Sequence, residues 1–224
     1  MSTGLYPIGN HKIRFKEREF RELATEIMTV LNNNVFPNAE FLRLFALRWT
    51  SNGPRDIREI KSKHQWTFEE ENEYYSFAET QEINLYGPFL LELTFDENKI
   101  TFWNPPYRYW QWFEMRENVH RDEWRKYMHN IVRLFGGDRV IYLADNSHHL
   151  EEFLYYEGTF EEIEMALHTK YGKPKPTFKE VTDNFDHSWF VDDFKTIDWA
   201  KSHSLDKYLP EPDDASSTDY DLKK

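Results

Sequence analysis

Apolar residues recur along this chain at two periods, and each period predicts an element. Between Lys16 and Leu31 they fall at Phe20, Leu23, Ala24, Ile27, Val30 and Leu31. Steps of three and four residues match the turn of an amphipathic helix. Asn32-Asn33-Asn34 supplies its stop, because Asn tolerates the left-handed conformation. From His120 to Phe135 the stripe is Trp124, Tyr127, Met128, Ile131, Val132 and Phe135, closed by Gly136-Gly137. A third helix is predicted over Phe160 to Lys170, with Ile163, Ala166 and Leu167 on its face. Thr159 and Glu162 form a capping box at its start, and Gly172 ends it.

The two-residue period predicts strands. Phe89 to Phe95, a polar Asp96-Glu97-Asn98-Lys99 turn and Ile100 to Trp103 make a β-hairpin in which Leu91, Leu93 and Phe95 share a face. Asn104-Pro105-Pro106 ends it, since Pro cannot donate to a ladder. Glu40 to Thr50, closed by Ser51-Asn52-Gly53-Pro54, and Tyr107 to Met115 read as further strands. Val140 to Ala144 is the longest unbroken apolar run and reads as a buried strand. Residues 55–82 fit either a helix or a strand with a polar loop. Residues 178–203 place aromatics among carboxylates and suggest short helices packed on the sheet. The expectation is one α+β domain over residues 1–205. It has a mainly antiparallel sheet, a β-hairpin at about 88–104 and three or more helices packed on the sheet. Residues 206–224, rich in Pro, Ser and Asp, are expected to be a disordered acidic tail.

Composition sharpens this picture. The mean hydropathy of −0.83 is low, yet 17% of residues are aromatic. Disordered chains lack rings, so the core is expected to be built more from rings than from aliphatic side chains. The absence of Cys removes disulfide scaffolds, thiolate nucleophiles and Cys-ligated metal. The formal charge is −12, from 28 basic and 40 acidic residues. It is unevenly spread: residues 1–68 carry 11 basic and 7 acidic residues (+4), which leaves 17 and 33 (−16) for residues 69–224. Phosphates repel such a chain, so no nucleic-acid partner is expected. No apolar run approaches the roughly 20 residues of a membrane helix, so no membrane is expected either. The opening residues lack an apolar signal core, and the expected location is cytoplasmic.

Three constellations could carry function. Asp145, Ser147, His148 and His149 follow the buried strand and offer a carboxylate, a hydroxyl and two imidazoles. That suits a hydrolase or a metal-dependent enzyme, with His as base and Asp orienting it. In open α/β sheets, ligands collect at the C-terminal ends of strands. An ordinary polar turn explains the same residues, and adjacent His side chains diverge too far to share one metal. The second constellation runs from Phe102 to Phe113, where seven of twelve residues are aromatic. Trp103, Tyr107, Trp110 and Trp112 are the residues expected to stack on a glycan or peptide, or to anchor a protein interface. The third is acidic and aromatic. Asp192 and Asp193, beside Trp189, Phe190 and Phe194, suit a basic partner that is first steered and then anchored. The basic run His11 to Arg21 is interleaved with Glu17 and Glu19 and reads as a solvated helix face. P-loop, dinucleotide, zincin, nucleophile-elbow and EF-hand patterns are absent from the sequence, so no cofactor is expected. The leading expectation is therefore an acidic module that binds a basic protein, of the kind an inhibitor or immunity-type protein masks.

Overall fold

A computed structural model describes residues 3–16, 18–34, 66–68, 81–87, 92–103, 118–146, 149–184 and 187–194. Its centre is a six-stranded sheet of order β2-β3-β4-β1-β5-β6, antiparallel at every pairing. The strands are β1 (Thr3–Gly9), β2 (Ile83–Tyr86), β3 (Glu92–Phe95), β4 (Ile100–Trp103), β5 (Arg139–Asn146) and β6 (Ser188–Asp193). Four helices accompany them among the described residues: α1 (Phe20–Asn34), α2 (Asn118–Leu134), α3 (Phe160–Tyr171) and α4 (Phe178–Asn184). This is the α+β class expected from the hydrophobic pattern.

The helices lie on both faces of the sheet, unequally. On the inner face, α1, α2 and α4 cover all six strands. Leu23, Ile27, Met128, Ile131 and Val181 meet Leu85, Leu93, Phe95, Ile100, Phe102, Val140 and Tyr142 in one core. On the outer face, α3 and a 3₁₀ turn at Glu151–Phe153 bury Tyr6, Ile8, Ile141, Leu143 and Trp189. That second core lies on β1, β5 and β6. On β2 and β3 the inward residues are buried and the outward ones stay half-exposed.

Several elements form where the pattern placed them. The β3–β4 hairpin turns at Asp96–Lys99, where Asp96 Oδ1 accepts the backbone N–H groups of Asn98 (2.7 Å) and Lys99 (2.8 Å). α2 stops at Leu134, and the chain turns away at Gly136, whose φ of 77° is the left-handed value that glycine adopts without strain. The Thr159–Glu162 capping box is present at α3.

Other elements depart from expectation. α1 begins at Phe20 rather than Lys16, and it takes in Asn32–Asn34 instead of stopping before them. Asn32 stays helical because its amide brackets the backbone N–H and C=O of Trp66 (2.8 and 3.1 Å). β1 was not anticipated. It is buried on both faces and so shows no alternation, and it contains Pro7. The β1–β4 ladder runs through Ile8 and Gly9 and goes no further toward Pro7, which has no N–H to donate. Residues 188–193 form a strand rather than short helices. β5 extends to Asn146 and is antiparallel to both neighbours, so the ligand rule for parallel α/β sheets does not apply to its end. The strands expected at Glu40–Thr50 and Tyr107–Met115 and the tail at 206–224 lie outside the described residues.

The joint between α2 and β5 is tight. Asn10 clamps the start of β5: its Oδ1 accepts the N–H groups of Asp138 and Arg139, both at 2.9 Å. A Cβ on Gly137 would stand 2.0 Å from the Asn10 carbonyl oxygen and 2.5 Å from Val132. Gly137→Ala is therefore expected to cost about 1–3 kcal/mol through overpacking. Urea unfolding checks this, with Gly172→Ser, where a side chain meets open space but φ is 79°, as the strain-only comparison.

Candidate functional site

On the outer face of β2, β3 and β4, where no described helix packs, lies a groove of about 330 Å³. Strand register builds its floor in rungs. Tyr86 stands opposite Glu92, and Glu92 opposite Trp103. The next rung is Asn84, Thr94 and Thr101. Residues directly opposite have Cβ atoms about 4.5–5.5 Å apart, so each rung is one surface. The alternation that buries Leu93 and Phe95 turns Glu92 and Thr94 outward. Trp103 is held in place by a short relay. Its indole Nε1–H donates to Thr94 Oγ1 (2.8 Å), and that hydroxyl donates to Asn84 Oδ1 (2.6 Å).

The wall comes from the segment after the 3₁₀ turn. Leu154 is buried beneath it, while Tyr155 is 70% exposed. The rings of Tyr155 and Trp103 lie 5.4 Å apart at 47°, two walls rather than a closed stack. Lys99, only 3% exposed, sets the position of this wall. Its ammonium donates to Asp96 Oδ2 (2.6 Å) and to the Tyr156 carbonyl (2.8 Å), so one buried cation ties the hairpin turn to the aromatic segment. From the other side, His11 Nδ1 accepts the Ile13 N–H (3.0 Å), so Nε2 carries the proton and donates to the Asp96 carbonyl (2.8 Å). Burial lowers the His11 pKa, against the pull of Asp96.

A second polar cluster lies inside the fold. Asp192, on β6, is 1% exposed. Arg125 of α2 grips its carboxylate with Nε and Nη2, the latter at 2.5 Å from Oδ1, and His129 Nε2 stands 2.7 Å from Oδ2. His129 is fully buried and stacked on Phe194 at 3.9 Å. Burial lowers its pKa, outweighing the pull of Asp192, so the imidazole is neutral and donates. For Asp192, burial raises the pKa, but the bonds from Arg125 and His129 win and hold it below its ordinary value. Both groups are inaccessible, so the cluster is a tie between helix and strand. The Tyr142 hydroxyl beside it has no hydrogen-bond partner among the described residues.

Of the residues expected from the sequence, Asp145, His149, Trp103, Asp192 and Asp193 lie among the described residues. Asp145 sits in β5 opposite Gly4. His149 is exposed, its ring edge-on to His187 at 4.7 Å and its carbonyl accepting the Tyr171 hydroxyl (3.0 Å). Ser147 and His148 lie outside the described residues, as do Tyr107, Trp110 and Trp112. Trp103 is in the groove. Asp193 is exposed at the end of β6, whereas Asp192 departs from the surface expectation because its carboxylate is enclosed by Arg125 and His129. Glu92, Tyr86 and Tyr155 were missed. The alternation of β3 contained the signal for Glu92, while nothing local marks Tyr155 as exposed. No family model, curated protein or solved structure matches this chain.

Asp192→Ala removes the carboxylate that the part-buried Arg125 and the buried His129 both bind and is expected to cost about 3 kcal/mol. Tyr142→Phe is expected to be neutral or stabilising, because it removes a buried hydroxyl that nothing among the described residues satisfies; urea unfolding of both variants checks the contrast. Acid acts on His129 in a defined direction. Its folded pKa lies below the ordinary 6.5, so the unfolded chain binds more protons there. Stability is full above about pH 6.5 and falls as pH drops toward the folded value. The His129→Gln variant, less stable at neutral pH, is expected to lose less Tm than wild type between about pH 7 and pH 5. An equal loss would exclude His129 as the source.

Proposed function

We propose that this protein works by binding, and that its partner is a basic protein of the kind an inhibitor or immunity-type protein masks. The observation that carries this reading is the groove. Among the described residues its lining holds the carboxylates of Glu82 and Glu92, that of Asp96 already paired with Lys99, and the aromatic rings of Tyr86, Trp103 and the exposed Tyr155. Tyr and Trp lining a concave site are the residue types that dominate interface energy. The −12 charge supplies long-range attraction that speeds encounter with a cationic partner. A stable protein complex buries about 1,200–2,000 Å², so the groove serves as the anchor of a larger contact. Tyr156, also exposed, extends the aromatic surface beside it.

The test is retention from lysate of the protein's source cells, bound at about 50 mM salt and washed at about 500 mM, where the screening length shrinks to roughly 4 Å. Wild type is expected to hold a basic protein at low salt and to lose much of it in the wash. Glu92→Lys combined with Tyr155→Ala is expected to abolish retention, the tyrosine alone contributing about 2 kcal/mol as an anchor. Equal retention by wild type and double variant, or retention of acidic proteins only, overturns the proposal.

A further inference from the structure

We infer that the Tyr86–Glu92–Trp103 rung, walled by Tyr155, is a site for the guanidinium of an arginine side chain. The inference rests on the protein-binding reading and names what the groove recognises. Three observations lead to it. Register places one carboxylate between two aromatic residues on a single rung. Trp103 is pinned through Thr94 and Asn84, so its ring is pre-set and loses little freedom when a ligand arrives. Lys99 beside the groove is directed at Asp96 and the Tyr156 carbonyl, and it fixes the Tyr155 wall next to the rung.

This chemistry favours arginine over lysine. A guanidinium is planar, stacks on indole and phenol faces, and presents two parallel N–H groups to one carboxylate. Trp103 and Tyr155 touch each other at 5.4 Å and 47°, so the plane would stack on the outer face of one ring rather than between the two. An ammonium is compact and strongly hydrated, and it would give up water for a single point contact. A carboxylate has about four acceptor positions, so Glu92 can receive the fork in addition to any bond it already makes. A groove of about 330 Å³ suits one long side chain rather than a folded segment. A neutral sugar would use the rings but would leave the acidic character of the lining without purpose.

The experiment is a ¹H–¹⁵N NMR titration of the full chain with three blocked peptides, Gly-Arg-Gly, Gly-Lys-Gly and Gly-citrulline-Gly, and with a neutral oligosaccharide. The Trp103 indole signal is identified by its loss in Trp103→Phe. The arginine peptide is expected to shift that signal and the Glu92 and Thr94 amides, with a Kd on the order of 1 mM. The lysine peptide should bind about tenfold more weakly, and citrulline, which keeps the shape without the charge, weaker still. Glu92→Gln should weaken the arginine peptide about tenfold while the remaining spectrum stays in place, which shows that the fold is intact. Equal binding of arginine and citrulline, shifts confined to residues outside the groove, or groove shifts with the oligosaccharide alone would each overturn the inference. If the groove ignores the arginine peptide while the lysate test still loses its basic protein in the double variant, the guanidinium site falls and the protein-binding reading stands. If the arginine peptide binds and no basic protein is retained, the reverse holds.

Discussion

The ladder between β1 and β5 is the constraint on which the rest depends. Seven residue pairs, from Thr3↔Asn146 to Gly9↔Val140, join the first strand to β5. On one side of that ladder stands the β2-β3-β4 meander, and on the other the single strand β6. Among the described residues, β1 is the strand that links them. Its closure brings together positions more than 130 residues apart, an entropic cost that local preference cannot offset. Burial on both faces offsets it instead: Leu5 enters the inner core, Tyr6 and Ile8 the outer one. Each such side chain contributes roughly 1.5–3 kcal/mol.

The unequal cover of the sheet follows from the same arrangement. Among the described residues the outer layer is short. One 12-residue helix and one 3₁₀ turn shield β1, β5 and β6. β2 and β3 then meet a polar boundary, and their outward positions hold Asn, Tyr, Glu and Thr rather than aliphatic residues. Where the cover ends, the edge is held firmly. Lys99 joins the hairpin turn to the Tyr155–Tyr156 segment, and Asp96 neutralises its charge in place. A buried cation with two directed donors is costly to form and hard to rearrange. It gives the groove a wall in a set position, which is the condition for recognition without large ordering losses.

Much of the fold was legible where the residues meet a single boundary. α2 shows a clean stripe because one face meets the sheet. The β3–β4 hairpin alternates because one side is core and the other is groove. Thr159 and Glu162 announce the start of α3 through local hydrogen bonds alone. The elements that escaped meet two boundaries or mix two roles. β1 is covered on both faces, so its sequence carries no period. In β6 an aspartate stands on the inner face, and an acidic–aromatic run resembles a wet surface until Arg125 and His129 arrive from α2 to enclose Asp192. Those partners are 67 and 63 residues away, and no spacing rule connects them.

The sequence by itself determined the class, the stripes, the turns and the overall acidity, because these depend on neighbours within a few residues and on summed charge. It also singled out Trp103. Only the tertiary structure decided which aspartate is buried and which is exposed, and which aromatic residues meet a carboxylate. The row of Tyr86, Glu92 and Trp103 exists through strand register, and Tyr155 reaches it through a lysine that bonds across 57 residues. Register and long-range closure are properties of the assembled sheet, so the groove belongs to the fold and not to any segment of the chain.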